Sequence, residues 1–276
     1  MRYFGYGSNL HLADLARWLG ERGLRADGVR RVGPAWLPDH EPVFHYHSWS
    51  RDGGALSVRA RLGAATPGAL FDVDDDGWAA LDRKEGPKYE RREVVVLVDG
   101  EEVAATTYVV SEPHVEPHHV PPQPHYIGLV TDGLADLGFP THQAEAAADR
   151  LRIDPFPRHV FVYGTLMRGE LREPLLRPHR PRRWIESRTR GALVDLGEYP
   201  GLVPGEGEVA GELVELPDPG AALRELDRVE DFEGYGAPGS LYRRVVVEVD
   251  DGTHAWTYRY VGPGGRPIAS GDWRSR

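Results

Sequence analysis

Two short stretches decide the fold: YFGYGSNL at residues 3–10 and VFVYGTLM at residues 160–167. In both, an aromatic-rich apolar run leads directly into Tyr-Gly, which is followed by a hydroxyl residue. Such a run is typical of a β-strand, and glycine lets the backbone turn sharply after it. The recurrence of one pattern far along the chain predicts an internal duplication.

The segments that follow the two stretches support the duplication. Residues 68–86 read GALFDVDDDGWAALDRKEG and precede the strand-like run YERREVVVLVDG at 89–100. Residues 211–231 read GELVELPDPGAALRELDRVED and precede YRRVVVEVDDG at 242–252. Because order, spacing and residue types match, each copy is predicted to contain a strand, a short helix and a further strand.

These patterns predict an α+β fold of two tandem small mixed β-barrel domains with flanking helices. We place the first domain at 1–153 and the second at 159–262, with a proline-containing linker between them. The glycine- and proline-rich end, 263–276, is predicted to be a flexible tail. An intramolecular pseudo-dimer of the two domains is compatible with the duplication, and the sequence leaves it open.

The composition narrows the classes of function. The chain has 276 residues, a formal net charge of -10 and no cysteine. The negative charge disfavours nucleic acid as a partner, and the lack of cysteine excludes disulfides and cysteine-bound zinc. No apolar run approaches the roughly 18 residues that span a membrane. A strand directly after Met1 leaves no room for a secretory signal. We therefore expect a cytoplasmic protein with no nucleic-acid or membrane partner.

A histidine-rich segment, EPHVEPHHVPPQPH at 112–125, resembles a metal site at first sight. Its prolines prevent the regular helix that would align histidines four residues apart. We interpret the segment as a loop and predict no metal. The sequence also contains no glycine-rich nucleotide motif and no nucleophile elbow.

A glutamate recurs at one helical position in both copies. The two sets of aligned residues are Trp78, Leu81 and Glu85, and Leu223, Leu226 and Glu230. Their i, i+3, i+7 spacing places each glutamate on the face that packs against the core. Desolvation there raises the pKa of a carboxyl toward neutrality, which suits general acid–base chemistry. A solvated position at a helix end stays an alternative. Asp82 and Asp227, on a more outward face, are interpreted as solvated or local hydrogen-bonding residues.

The Tyr-Gly turns provide a second component of a site. Where the turn leads into a helix, as at residues 8–10, the first N–H groups of the helix are unpaired. These groups and the helix dipole favour a bound anion or an oxyanion that develops during a reaction. Considered alone, the turn is an ordinary strand end with Ser8 as a helix N-cap. Its chemical meaning depends on the glutamate.

The turn and the glutamate, in this order, resemble the γ-glutamylcyclotransferase superfamily, which includes the γ-glutamylamine cyclotransferases and the AIG2-like proteins. The first copy resembles the longer form of the family in YFGYGSNL, PDHEPVFHYHSWSRDGG, GALFDV, LDRKEG and the segment around Tyr126. The second resembles the shorter AIG2-like form in VFVYGTLMRGE, GEYPGLVPG, VAGELVEL, LDRVE and SLYRRVVVEV. The likeness covers most of the chain and implies a small mixed β-barrel in each copy.

The resemblance implies a cofactor-independent enzyme that converts a γ-glutamyl amine or γ-glutamyl amino-acid derivative to 5-oxoproline and a free amine. Glu85 and Glu230 match the catalytic glutamate of the family. The implied substrate-binding residues are Tyr6, Gly7, Ser8, Asn9, Leu10, Tyr89, Tyr126, Tyr163, Gly164, Thr165, Leu166 and Tyr242.

The two copies differ beside the glutamate. Two residues separate Gly86 from Tyr89, whereas eleven separate Glu230 from Tyr242. We therefore expect the two pockets to accept different amines, and activity in only one domain stays an alternative. A non-catalytic module that binds a small acidic metabolite is the alternative to an enzyme.

Overall fold

The computed structural model describes every residue from Met1 to Arg276 and divides into two compact units. The first unit comprises 1–61 and 65–156, and the second comprises 62–64 and 157–276. None of the helices combines the length and the apolar character needed to cross a membrane.

The first unit contains a curled sheet flanked by helices. Its strands are β1 (Arg2–Gly5), β2 (Val29–Val43), β3 (His47–Ser48), β4 (Gly53–Gly54), β5 (Ser57–Val73), β6 (Tyr89–Val98) and β7 (Glu101–Val110). Its helices are α1 (Leu12–Gly20), α2 (Asp75–Glu85), α3 (Pro124–Ala135) and α4 (His142–Asp149). The sheet order is β1-β5-β2-β6-β7, and a parallel pairing of Tyr3 with Thr106 joins the end strands β1 and β7. Strands β3 and β4 pair separately.

Helix α1 starts later than the sequence suggests. Residues Ser8–Leu10 form a separate 3-10 turn, and the Nδ1 atom of His11 accepts the N–H of Asp14 at 3.1 Å. The prediction of Ser8 as the N-cap is therefore wrong, because the chain makes an extra turn before α1. Leu15 and Leu19 of α1 are buried in the core.

Helix α2 has clear start and stop signals. The Asp74 carboxylate accepts the N–H of Gly77 at 2.7 Å, as an N-cap residue does. Gly86 follows the helix with a φ of 75°, a conformation that favours glycine and ends the helix directly after Glu85. Trp78 and Leu81 are buried, so the inner face of α2 packs on the core and its last residue is Glu85.

The second unit repeats the topology of the first. Its strands are β8 (His159–Val162), β9 (Arg183–Asp195), β10 (Pro200–Glu215), β11 (Tyr242–Glu248), β12 (His254–Tyr260) and β13 (Arg266–Pro267), and its helix is α5 (Pro219–Val229). The sheet order is β11-β12-β8-β10-β9-β13. Strand β8 runs antiparallel to β10 and parallel to β12, as β1 does to β5 and β7. The internal duplication predicted from the sequence therefore corresponds to two units whose equivalent strands have the same order and the same directions.

The predicted α+β class is confirmed, but the prediction of two small barrels is wrong for the second unit. Its sheet is open: β9 approaches the segment after β11 through an isolated bridge between Thr189 and Val249, which is not part of a ladder. Strand β13 pairs with the outer edge of β9, which is the edge that closure of the sheet would use.

The predicted flexible tail, 263–276, is also wrong. Arg266 pairs with Asp195 of β9, and the N–H of Ile268 donates to the carbonyl of Leu193 at 2.8 Å. Trp273 is only 1% exposed. This segment is rich in glycine and proline, yet its two large apolar side chains, Ile268 and Trp273, are buried and order it.

Candidate active site

The Tyr-Gly turn of the first unit lies where β1 ends, beside the end of β7. The hydroxyl of Tyr6 donates to the carbonyl of Tyr108. Thr107 Oγ1 donates to the carbonyl of Phe4 at 2.7 Å. One side chain from the turn and one from β7 thus hold β1 and its turn against β7.

The second unit repeats both hydrogen bonds. The hydroxyl of Tyr163 donates to the carbonyl of Tyr258 at 2.6 Å, and Thr257 Oγ1 donates to the carbonyl of Phe161 at 2.9 Å. The turn after β8 is therefore held against β12 in the same way. The two copies thus share these two side-chain hydrogen bonds as well as the sequence pattern.

Glu85 of the first unit is half-buried at the end of α2 and meets the turn through Asn9. Asn9 Nδ2 donates to Glu85 Oε1 at 2.8 Å and lies 2.9 Å from the hydroxyl oxygen of Tyr3. Asn9 is only 3% exposed. An amide buried in this way fixes the orientation of the carboxylate.

A cavity of about 480 Å³ opens between the turn and Glu85. The residues proposed from the sequence that line it are Tyr6, Gly7, Ser8, Asn9, Glu85, Tyr89 and Tyr126. Leu10 does not line it, because its side chain is fully buried in the hydrophobic core. The proposed binding role of Leu10 is therefore corrected to a packing role.

The second unit has a smaller cavity of about 30 Å³ beside Glu230, which directly follows α5. The residues proposed from the sequence that line it are Tyr163, Gly164, Thr165, Leu166, Glu230 and Tyr242. Leu166 stands where the first unit has Asn9, so its side chain offers no hydrogen-bond donor.

The acidity of Glu230 is shifted by its surroundings. Burial raises the pKa of the Glu230 carboxyl to about 7. The positive charge of Arg172 opposes this rise, and the nearby Asp231 adds to it. A carboxyl group with a pKa near neutrality can accept a proton and return it at physiological pH.

Two tyrosines occupy equivalent positions at the two sites. The hydroxyl of Tyr89 donates to the carbonyl of Leu56 at 3.0 Å, and that of Tyr242 donates to the carbonyl of Pro200 at 2.7 Å. Tyr126 comes from α3, which only the first unit contains; its hydroxyl accepts the N–H of Leu56 at 3.2 Å.

The arginines at the sites were missed by reasoning from the sequence, and two of them lie against tyrosine rings. Arg51 donates to Ser8 Oγ at 3.1 Å, and its guanidinium lies 5.0 Å from the ring centre of Tyr126. Arg172 lines the second cavity, with its guanidinium 5.5 Å from the ring centre of Tyr199. The two arginines occupy unrelated positions in the two copies, so comparison of the copies could not reveal them.

The interpretation of Asp82 as a local hydrogen-bonding residue is confirmed. It accepts Arg91 Nη2 at 2.6 Å and the hydroxyl of Tyr108 at 2.7 Å. These bonds connect α2 to β6 and β7 next to Glu85.

Asp227 makes the equivalent bonds in the second unit. It accepts Arg244 Nη1 at 2.9 Å and the hydroxyl of Tyr258 at 2.6 Å. The recurring Tyr-x-Arg at Tyr89 and Tyr242 was the available signal, since its arginine follows two positions after each tyrosine.

The turn glycines differ in the space around them, which leads to a prediction. A Cβ atom at Gly164 would lie 2.4 Å from Cγ of Pro200, a rigid ring, whereas one at Gly7 would lie 3.5 Å from the hydroxyl of Tyr126. We expect Gly164→Ala to lower the free energy of unfolding by about 1–3 kcal/mol. Gly7→Ala, the matched control, should change it by less than about 1 kcal/mol. Denaturant unfolding of both variants measures the difference; equal stabilities would contradict it.

The comparisons with known proteins agree with this duplicated geometry. The family model "Gamma-glutamyl cyclotransferase, AIG2-like" matches residues 3–127 and again residues 160–275. The chain is 40% identical over 119 residues to a Vibrio cholerae protein named "Putative gamma-glutamylcyclotransferase", covering 42% of this chain and 96% of that protein. It is 35% identical over 114 residues to the "Gamma-L-glutamyl-butirosin B gamma-glutamyl cyclotransferase" of Niallia circulans, covering 38% of this chain and 68% of that protein.

A solved structure titled "Gamma-glutamyl cyclotransferase" is 21% identical and superposes with a TM-score of 0.46, covering 56% of this chain and 90% of that one. The family model alone matches most of the chain, in two separate segments that fall in the two units. The chain therefore belongs to the AIG2-like γ-glutamyl cyclotransferase family, with two copies of the family's domain in tandem.

Proposed function

We propose that the chain is a γ-glutamyl cyclotransferase that converts a γ-glutamyl amine or γ-glutamyl amino-acid derivative to 5-oxoproline and a free amine. Glu85 and Glu230 serve as general acid and base in their respective units. The observation that carries the proposal is the placement of a half-buried glutamate beside the Tyr-Gly turn in both cavities.

The reaction needs no external reactant. The α-amine of the γ-glutamyl group attacks its own γ-carbonyl carbon and forms a C–N bond, and the amide C–N bond to the leaving amine then breaks. The α-amine loses a proton and the leaving nitrogen gains one, so the atoms balance without water. Proton transfer and orientation are the tasks that remain for the protein.

A glutamate suits the proton transfer at each site. An α-amine has a pKa near 8 and is mostly protonated at neutral pH, so a base must remove its proton before attack. Glu230, with a pKa of about 7, can take that proton and pass it to the leaving nitrogen. At the first site, the hydrogen bond from Asn9 holds one oxygen of Glu85 in place and leaves the other for the substrate.

The turn and the nearby arginines suit substrate binding. The first N–H groups of a short helical turn have no intrahelical acceptor, and they can stabilise the oxyanion that develops on the γ-carbonyl. Arg51 and Arg172 each provide a cation for the α-carboxylate of the γ-glutamyl group. The name of the Niallia circulans relative, which specifies γ-L-glutamyl-butirosin B, supports a γ-glutamyl compound as the substrate.

The test is direct measurement of both products. The full chain is incubated with a panel of γ-glutamyl amines and γ-glutamyl amino acids, and 5-oxoproline and free amine are quantified by chromatography. We expect the two products in equal amounts from at least one member of the panel. Glutamate in place of 5-oxoproline would indicate hydrolysis, and binding without any product would favour the non-catalytic module.

The raised pKa of Glu230 predicts the pH dependence of the second site. In a Glu85→Gln variant, only Glu230 remains to act as the base, and it must be ionised to accept a proton. We expect kcat/KM to fall about tenfold per pH unit below about pH 7 and to level off above it. The substrate amine titrates identically in a Glu230→Gln variant, so that variant is the control. If kcat/KM of the Glu85→Gln variant does not fall between pH 7 and pH 5.5, Glu230 is excluded as the base.

A further inference from the structure

Positive charge accumulates around the first cavity, against the overall charge of the chain. The cationic residues that line it are Arg22, Arg51, Arg83, Lys84 and Lys88, and the only carboxylate that lines it is Glu85. The chain as a whole carries a formal net charge of -10. The cavity is therefore a local region of positive potential on an acidic protein.

The second cavity has no such excess. Its charged lining residues are Arg172 and Glu230, which balance one another. Because both units share the same topology, the difference comes from the side chains around the site and from the loop after each glutamate. In the first unit that loop is short and carries Lys88.

Two of the cations that line the first cavity are partly buried. Arg51 and Lys84 are half-buried, whereas Arg22, Arg83 and Lys88 are exposed. Burial lowers the pKa of the Lys84 ammonium; the charge of Glu85 opposes this and the charge of Arg51 adds to it. Cations of like charge in a partly desolvated cavity favour an anionic ligand beside them.

A plain γ-glutamyl amine does not use this charge. Its only carboxylate is the α-carboxylate of the γ-glutamyl group, for which one cation suffices. The remaining cations favour negative charge on the leaving amine, in a cavity whose volume of about 480 Å³ accommodates a second amino acid.

Resting on the proposed function, in which Arg51 binds the α-carboxylate of the γ-glutamyl group, we propose that the first site selects γ-glutamyl compounds whose leaving amine is an acidic amino acid, with Lys84 as the half-buried cation that binds its side-chain carboxylate. The second site, with balanced charges and a cavity of about 30 Å³, does not share this preference.

The test compares two substrates that differ by one charge and hardly in size, γ-glutamyl-glutamate and γ-glutamyl-glutamine. In the Glu230→Gln variant, only the first site can release 5-oxoproline. We expect kcat/KM to be at least about tenfold higher for γ-glutamyl-glutamate at low ionic strength. The ratio should fall toward one in about 1 M salt, where the Debye length is about 3 Å.

Variants separate the role of charge from that of folding. Lys84→Met is expected to reduce the ratio mainly through a higher KM for γ-glutamyl-glutamate, and Lys84→Arg is expected to retain it. The double variant Arg83→Gln/Lys88→Gln, at two exposed lining residues, should reduce the ratio without affecting folding. Arg25→Gln is the matched control, because Arg25 is exposed and paired with Asp27 outside the cavity.

The outcomes distinguish this inference from the proposed function. If γ-glutamyl-glutamine is turned over as well as γ-glutamyl-glutamate, and salt has no effect on the ratio, the charge selectivity is overturned while cyclotransferase activity stands. If neither dipeptide nor any neutral γ-glutamyl amine yields 5-oxoproline, the proposed function fails first.

Discussion

The Glu85→Gln/Glu230→Gln double variant is expected to release 5-oxoproline about 10²- to 10⁴-fold more slowly than the wild-type chain, which is the usual contribution of general acid–base catalysis. Glutamine has the size and shape of glutamate but cannot accept the proton of the α-amine. Each side chain is half-buried beside its turn, so the substitution removes a charge without opening a cavity.

The single variants assign substrates to sites. If Glu85→Gln abolishes the turnover of one substrate and Glu230→Gln abolishes the turnover of a different substrate, both units are catalytic. If one single variant equals the double variant for every substrate, the other unit is inactive. Glu93→Gln and Glu186→Gln are matched controls, since both glutamates are exposed and lie outside the cavities. A double variant with undiminished activity would rule out these glutamates as the catalytic groups.

The largest effect on stability is expected from Asp227→Ala. Arg244 Nη1 donates a hydrogen bond to the Asp227 carboxylate at 2.9 Å. The side chain of Arg244 is only 1% exposed. Breaking a buried ion pair by removing one partner costs about 3–5 kcal/mol. The same substitution removes the acceptor of the Tyr258 hydroxyl. We expect a large loss of unfolding free energy, measured by urea denaturation of the full chain.

The first unit provides the control for this prediction. In the pair of Asp82 with Arg91, both side chains are substantially exposed, at 51% and 40%. Exposed ion pairs contribute about 0–1 kcal/mol. Asp82→Ala also removes the acceptor of the Tyr108 hydroxyl, so the two variants differ mainly in the burial of the ion pair, and Asp82→Ala should cost less than Asp227→Ala. Equal losses from the two variants would show that burial of Arg244 does not decide the cost.

The duplication and the position of the glutamates could be predicted because they depend on local periodicity. The i, i+3, i+7 spacing that ends at Glu85 is set by helix geometry, and Asp74 and Gly86 mark the bounds of that helix. Charged residues that reach the site from irregular segments could not be predicted in this way. Arg51 and Arg172 arrive from loops, whose paths depend on long-range packing.

The errors also have physical causes. Composition suggested a flexible tail, but composition averages over positions, and the burial of Trp273 alone is enough to anchor the segment. The same segment adds a strand to the open sheet of the second unit, because β13 pairs with the edge of β9 at Val194 and Asp195. Pairing between residues distant in sequence leaves no local periodic signal.

The hydrogen bonds that tie the turn of each unit to its neighbouring strand have a consequence for how such a chain can evolve. Tyr6, Thr107, Tyr163 and Thr257 all donate to backbone carbonyls. Every residue type carries that acceptor, so substitutions in the accepting strands do not remove it. Mutations can therefore accumulate at the pocket of one copy, as the contrast between Asn9 and Leu166 illustrates, while the scaffold of both copies is preserved.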